Sequence, residues 1–401
     1  MSHIVVVGAG QAGASMVIKL RSLGFGGEIT LIGDENVPPY QRPPLSKRYL
    51  LDEMEVERLF LRPKAYYRGQ DIALKLGRGV AGIDVGAKTV HLGDEVLVYD
   101  QLALATGSEA RRLPASIGGS LEGVYGIRRL VDIDRMAAEF QMGRRLLIVG
   151  GGYIGLEAAA VAAKRGLKVT LVEMADRILQ RVASTETSDY FRALHQSHGV
   201  EILEGIGLRA LRGEERVSGA ILSDGRVLST DFVIAGVGIV PSTDLAETAG
   251  LDIENGIKTD AHGRTSNACV WAAGDCTSFP YQERRIRLES VPNAIDQAEI
   301  VAENMLGANK KYIAKPWFWS DQFDVKLQIA GLNSGYDKII TRKGKDSVSF
   351  WYYCGEKLLA VDAMNDPRAY MVAKRLIDAG KTADVQVVKN SGSDLKSLLK
   401  S

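Results

Sequence analysis

Two glycine fingerprints constrain this chain more than any other feature: Gly8-Ala9-Gly10-Gln11-Ala12-Gly13 close to its start and Gly150-Gly151-Gly152-Tyr153-Ile154-Gly155 in its middle. Ile4 to Val7 reads as a buried strand, Gln11 to Leu23 as a helix stopped by Gly24, and Ile29 to Ile32 as a second strand ending at Asp34-Glu35. Leu146 to Val149, Tyr153 to Lys164 stopped by Gly166, and Val169 to Val172 ending at Glu173 repeat that pattern. In such a βαβ unit the first glycine permits a tight turn, the second lets the backbone approach a pyrophosphate, and the third lets helix pack on strand. Two units predict two dinucleotides. Asp34 or Glu35 and Glu173 can each accept hydrogen bonds from a ribose. A carboxylate at Glu173 also repels a 2′-phosphate, which favours NADH over NADPH, with Arg177 the one nearby basic residue that opposes this preference.

At 401 residues the chain exceeds what one core usually organises, so two or three domains are expected. Lys plus Arg (50) nearly balances Asp plus Glu (49), which argues against general attraction to nucleic acid or membrane. No apolar stretch reaches spanning length, and the first apolar run begins at Ile4 without a basic leader, so the chain reads as cytoplasmic. The three cysteines, Cys269, Cys276 and Cys354, form no CxxC pair and suggest no dithiol redox centre. The five histidines show no ligand cluster, and His195 and His198, though able to share a helix face, read as surface residues; no metal is expected.

Further segments punctuate the chain. Lys88 to Leu92 and Val217 to Leu222 read as antiparallel strands covering each nucleotide-binding core. Leu102 to Gly107 and Ile234 to Gly238 are buried strands ending in small turns, the first carrying Thr106 and Gly107. Thr265 to Cys276 ends in Gly274-Asp275, an aspartate able to hold a ribityl hydroxyl beside a glycine that permits close approach. Ser290 or Val291 can cap a helix running to Asn304, with Pro292 in its first turn, and a helix N-terminus aimed at the pyrimidine end of a flavin would stabilise the charge that appears there on reduction. In the loop Gln41 to Lys47, prolines fix the turn, Arg42 can meet a phosphate and Lys47 can approach flavin N5 and O4. Glu157, on the helix after the second fingerprint, is a candidate ion-pair partner for Lys47. After Trp317, alternating Val348 to Tyr353 and Leu358 to Val361 and a helical stretch from Pro367 to Ala379 suggest a terminal α/β domain.

These residues together resemble the FAD-dependent, NADH-using ferredoxin reductases of bacterial monooxygenase systems, the putidaredoxin reductase type. The resemblance is carried by GAGQAG at Gly8, LIGDE at Leu31, RPPLSK at Arg42, LALATG at Leu102, GGGYIGLE at Gly150, AAGDC at Ala272, ESVPNAIDQA at Glu289 and PWFWSDQFD at Pro316. It implies an α/β fold with two Rossmann-like dinucleotide-binding domains, glutathione-reductase-like, plus an α/β C-terminal domain. The implied boundaries are 1–112 with 238–316 for FAD, 113–237 for NADH, and 317–401. Its flavin contacts fall on Ala12, Asp34, Arg42, Lys47, Val80 (through its backbone), Thr106, Arg128, Asp275 and Val291, with Trp319 near the isoalloxazine. Its nicotinamide contacts fall on the Gly150 to Gly155 loop, Glu157, Glu173 and Gly238, with Glu289 lining the same cleft. Lys47 and Glu157 match an ion pair flanking flavin N5.

The resemblance implies electron flow from NADH through FAD to a [2Fe–2S] ferredoxin that supplies a monooxygenase such as a P450. The Arg42 to Lys47 loop has no cysteine, and Ser46 stands where a peroxidase-like thiol would be sought, which disfavours disulfide and peroxide chemistry. Rubredoxin reductases and monodehydroascorbate-type reductases share much of the scaffold and are not separated by the cofactor motifs; an NADH-dependent reductase of a small molecule or oxygen and an apoptosis-inducing-factor-like redox interaction protein are the alternatives of a different class. An acidic ferredoxin would require a local basic surface: Lys310-Lys311 with Lys315, or Arg342 with Lys343 and Lys345.

Overall fold

The computed structural model describes residues 2–400, which separate into two compact units, one of residues 2–41, 55–109 and 239–316, the other of 42–54, 110–238 and 317–400. In the first unit the strands Val270–Ala272, Gln101–Leu104, His3–Val7, Glu28–Gly33 and Ile72–Leu76 lie side by side in that order, all parallel. Their residues are almost wholly apolar because a parallel sheet is covered on both faces. One face carries Ala12, Met16, Val17 and Leu20 of the helix Gln11–Ser22 beside Ala294, Ala298 and Val301 of the helix Val291–Met305. The other is covered by the antiparallel strands Gly82–Asp84, Thr89–Leu92 and Glu95–Val98.

The second unit repeats the plan. Val124–Tyr125, Phe232–Ala235, Arg145–Val149, Lys168–Glu173 and Glu201–Glu204 form a parallel sheet whose central three strands follow the same sequence logic. The helix Tyr153–Lys164 spans the residues that its apolar spacing predicts, and Val217–Leu222 lies in the three-stranded cover. This unit also includes an antiparallel five-stranded sheet in the order Trp317–Gln322, Val325–Gly331, Lys357–Met364, Val348–Cys354, Lys338–Lys343. The helix Pro367–Asp378, capped by the Asp366 carboxylate, buries Ala369, Tyr370, Val372 and Leu376 against that sheet. The α/β class expected from the sequence is the class observed. Among the described residues no helix is long and apolar enough to cross a membrane.

Candidate active site

The two glycine loops have one backbone design. Gly8 and Gly150 stand at φ +114° and +107°, where side chains are strained, and a Cβ on them would fall 2.1 Å from the Ala105 carbonyl oxygen and 2.4 Å from that of Gly236. A Cβ on Gly13 or Gly155 would meet the carbonyl oxygen of Gly8 or Gly150 at 1.9 or 2.2 Å. The middle glycines differ: a Cβ on Gly10 or Gly152 meets nothing within 4 Å. Both are helix N-caps without a side-chain cap, and neither helix has an acidic residue in its first turn. Open space before uncapped N–H groups at the positive end of a helix fits a pyrophosphate. The chain's residues therefore fit two bound dinucleotides.

In the first unit Ala12 is buried, and Gly274, at φ +88°, brings the backbone close enough that its Cβ would sit 3.0 Å from that of Ala12. The Gly274 N–H donates to buried Gln297 (2.9 Å), and Asp275 accepts from the Ser108 hydroxyl (3.1 Å). Thr106 donates to the Ser242 carbonyl (2.7 Å), and Gly107, at φ +70°, accepts from the Ser242 N–H (3.0 Å). Asp34 is exposed at the strand end, and Glu35 accepts from the Tyr40 hydroxyl (2.8 Å). Val80 packs on the core beneath the cover sheet. Ser290 is the cap of the helix Val291–Met305, accepting from the Asn293 N–H (3.3 Å), so Val291 opens the helix; Glu289 pairs with Arg287.

In the second unit Glu173 closes on its own loop, accepting from the N–H groups of Gly151 (2.7 Å) and Ala175 (2.8 Å). Arg177, which could have opposed an NADH preference, donates to Ser188 (2.5 Å) and to the carbonyls of Ser184 (3.0 Å) and Ala183 (2.8 Å). Its guanidinium is committed to the turn before the helix Thr185–Ser197. Tyr153 turns its ring against Phe318 at 5.0 Å, and burial pushes its hydroxyl well above the usual phenol range, so this residue offers the loop its backbone. Ile154 is exposed, and Gly238 takes φ +95°. Arg42 donates to the Arg128 carbonyl (2.5 Å), and Trp319 lies 5.6 Å from Trp317.

The polar centre of this unit is Glu157. One of its oxygens meets Lys47 Nζ at 2.9 Å and accepts from Ser320 Oγ at 2.7 Å; the other accepts from Ser46 Oγ at 2.6 Å. Asp321 stands 3.9 Å from the same ammonium. Both ends of the pair are largely buried, with 15% and 6% of the side chains exposed, so solvent screens it little. Ser46, where a thiol would be sought, thus hydrogen-bonds a carboxylate. Sequence reasoning missed Ser320 and Asp321, whose only local signal is their place in the motif at Pro316.

The structure corrects the surface reading of His195. Its ring is wholly buried, Nε2 lies 2.8 Å from Gln322 Oε1, and burial pushes the imidazole down to about 4. Of the two basic clusters, Lys310 is already paired with Glu303 (2.5 Å). Arg342 donates to the carbonyls of Val387, Val388, Asn390, Ser391 and Ser393, which fastens the C-terminal tail.

Two pyrophosphate cradles, with a charged pair behind the second and no thiol beside it, define a redox enzyme of the two-dinucleotide class. Residues 2–298 match the pyridine nucleotide-disulphide oxidoreductase family and residues 317–399 the reductase C-terminal family. The chain belongs to the pyridine nucleotide-disulphide oxidoreductase family, in its putidaredoxin-reductase-type branch. It is 40% identical to rhodocoxin reductase of Rhodococcus erythropolis, over 98% of this chain and 93% of that protein. It is 38% identical to the putidaredoxin reductase of Pseudomonas putida, over 99% and 96%. Its fold matches the reductase in the covalent putidaredoxin reductase–putidaredoxin complex with a TM-score of 0.96, at 36% identity over 100% of this chain and 98% of that one. It matches the ferredoxin reductase for the CYP199A2 system from Rhodopseudomonas palustris with a TM-score of 0.95, at 35% identity over 99% of each chain.

Proposed function

We propose that this protein is an NADH-dependent ferredoxin reductase that holds FAD and passes electrons to a [2Fe–2S] ferredoxin serving a monooxygenase such as a cytochrome P450. The observation that carries this reading is the buried Lys47–Glu157 pair, reached by Ser46 in a loop without a thiol. FAD would be held by Gly8, Gly10, Ala12, Gly13, Asp34, Glu35, Arg42, Val80, Thr106, Gly107, Arg128, Asp275, Val291 and Trp319. When bound, it supplies the exchange between the two-electron chemistry of a hydride and the one-electron chemistry of an iron–sulfur centre. The Gly150 to Gly155 loop receives the pyrophosphate of NADH, Glu173 its ribose, and Gly238 and Glu289 border the nicotinamide. Lys47 keeps a fixed ammonium at the reacting end, and Glu157 holds that ammonium in one position, so that little reorganisation is needed when charge moves.

Residues 1–112 with 238–316 are assigned to FAD, 113–237 to NADH and 317–401 to a terminal domain. The reaction is assigned to the cytoplasm, where NADH is supplied. Anaerobic titration with NADH, followed by mixing with candidate ferredoxins, tests the proposal. Bleaching of the flavin spectrum by one equivalent of NADH, then reduction of two equivalents of ferredoxin, is the expected result. Rapid turnover with oxygen, a small quinone or rubredoxin, and none with any [2Fe–2S] ferredoxin, would overturn it.

A further inference from the structure

A line of buried polar side chains continues from Glu157 into the second unit. Ser320 Oγ lies 2.7 Å from Glu157 Oε1, Gln322 Nε2 lies 3.2 Å from Ser320 Oγ, and His195 Nε2 lies 2.8 Å from Gln322 Oε1. Ser320, Gln322 and His195 are each 0% exposed. Ser320 and Gln322 share one face of the strand Trp317–Gln322, two residues apart, and His195 sits in the last turn of the helix Thr185–Ser197.

Hydrogen-bond chemistry gives this line a single direction. A carboxylate paired with an ammonium only accepts, so Ser320 donates its one proton to Glu157. The Ser320 oxygen is then left to accept, which requires the amide NH2 of Gln322 and turns the Gln322 carbonyl towards His195. His195 must therefore carry its proton on Nε2. Its Nδ1 becomes a bare acceptor, and that atom is buried without a hydrogen-bond partner among the described residues. A neutral ring follows from the same burial. Leaving a polar nitrogen unpaired disfavours folding, so the arrangement calls for a compensating use.

We propose that His195, Gln322 and Ser320 are positioning residues, a one-way chain of donors that fixes the Glu157 carboxylate against Lys47. Aligned donors polarise one another in a dry interior, so each link strengthens the next. The groups facing the carboxylate are Lys47 and Ser46 from the loop and Ser320 from the strand, with Asp321 beside the ammonium; those facing His195 are Gln322, Phe323 and His198. The inference rests on the reading of Lys47–Glu157 as part of the NADH reaction.

Infrared difference spectroscopy on the FAD-loaded protein, with the Glu157 carboxylate band assigned through Glu157→Gln, tests the chain directly. His195→Phe and Gln322→Leu should shift that band, whereas His195→Gln, which places an amide N–H near the Nε2 position, should leave it in place. Flavin reduction by NADH in a single turnover should slow about three- to tenfold in the first two variants, with KM for NADH within about twofold, and recover in His195→Gln. If either bulky variant fails to fold, Ser320→Ala, which removes only an oxygen, carries the same expectation. An unmoved band in Gln322→Leu and Ser320→Ala, or equal shifts in His195→Gln and His195→Phe, would overturn the chain. Failure to reduce any ferredoxin with the band behaving as expected would overturn the proposed function and leave the chain standing.

Discussion

The loops at Gly8 and Gly150 are near copies in backbone and opposites in what they present. Their first glycines share a left-handed φ, their third glycines admit no Cβ, and their middle glycines face open space. Two residues beyond the third glycine the resemblance ends. The first helix has Ser15, half-buried and accepting from the Gln11 amide at 3.3 Å, while the second has Glu157, buried under two hydroxyls and an ammonium. Under the proposed function a shared cradle binds, and the residue two positions beyond its third glycine sets whether the unit also takes part in chemistry.

Substitution of the middle glycines separates the two loops most cleanly. Gly10→Ala and Gly152→Ala meet no atom of the protein within 4 Å, so with both dinucleotides removed each should fold with stability within about 1 kcal/mol of the dinucleotide-free parent. Each should nonetheless lose its own dinucleotide, by about 100-fold or more in affinity, because the methyl group occupies the space of the phosphates. Gly10→Ala should be isolated without flavin, and Gly152→Ala should be yellow but unresponsive to NADH. Retained flavin in the former together with lost flavin in the latter would exchange the two assignments. By contrast Gly13→Ala and Gly155→Ala strike backbone oxygen and should lose more than about 3 kcal/mol in chemical denaturation.

Making the second helix carry the first helix's residue comes next. Glu157→Ser should keep its flavin and bind NADH, yet slow flavin reduction in stopped flow by about 10- to 100-fold, as expected for loss of a preorganised charge. Ser15→Ala should change neither. An equal effect at both positions would mean that the difference between the loops is not chemical.

The second unit also hides two titrating groups with opposite leanings. Burial pushes Asp362, which accepts from Thr187 (2.7 Å) and Tyr352, up to about 6, and pushes His195 down to about 4. Between pH 4 and 6 the unfolded chain has released the Asp362 proton that the folded chain keeps, so this group's stabilisation is lost as pH rises through about 6. For His195 the unfolded ring takes up a proton near 6.5 that the folded ring refuses down to about 4, so its stabilisation is lost as pH falls. Each effect amounts to about 3 kcal/mol, and over this range they offset. Urea denaturation at pH 4.5 and 6.5 should show stability rising with pH in Asp362→Asn and falling in His195→Gln. Parallel slopes in both variants would remove these two groups from the acid behaviour of the unit.

What could be read from the sequence was what repeats locally. Both βαβ units, the cap at Ser290 and the helix after Asp366 follow from spacing and cap chemistry within a few residues. The Glu157 cluster was half legible. Lys47 and Glu157 were paired by resemblance, but the Ser320 hydroxyl reaches its carboxylate across 163 residues of chain, and a serine among aromatic residues carries no mark of such a role. The burial of His195 is hidden from the sequence for the same reason: its polar partner, Gln322, is 127 residues away. Arginines were the hardest. Arg177 and Arg342 look in sequence like ligands for anions, and both spend most of their donors on main-chain carbonyls, which no side-chain pattern records.

That commitment sharpens the coenzyme argument. Arg177 spends its guanidinium on the turn before the helix Thr185–Ser197, so Arg177→Met should alter stability but leave the ratio of kcat/KM for NADH over NADPH within about twofold. Glu173→Ala should lower that ratio about tenfold, by removing both the ribose acceptor and the repulsion. A changed ratio in Arg177→Met would return the arginine to the binding site.

The smallest effect concerns the two basic clusters, one on each unit. Lys310 and Lys19 (3.1 Å) share Glu303, and Lys19 also meets Glu299 at 3.7 Å, so these four charges balance, whereas Lys311 and Lys315 are exposed and form no ion pair among the described residues. In the other cluster only Lys343 and Lys345 stand clear. Exposed charges act on encounter with an oppositely charged partner, and salt screens them within about 8 Å at physiological ionic strength. Lys311→Glu with Lys315→Glu should therefore slow ferredoxin reduction about threefold at low salt and hardly at all at high salt, with flavin reduction by NADH unchanged. Lys310→Ala, a change of one charge at a site balanced by Glu303, should do less than either reversal. If Lys343→Glu with Lys345→Glu gives the larger salt-dependent loss, the acceptor approaches the second unit rather than the first.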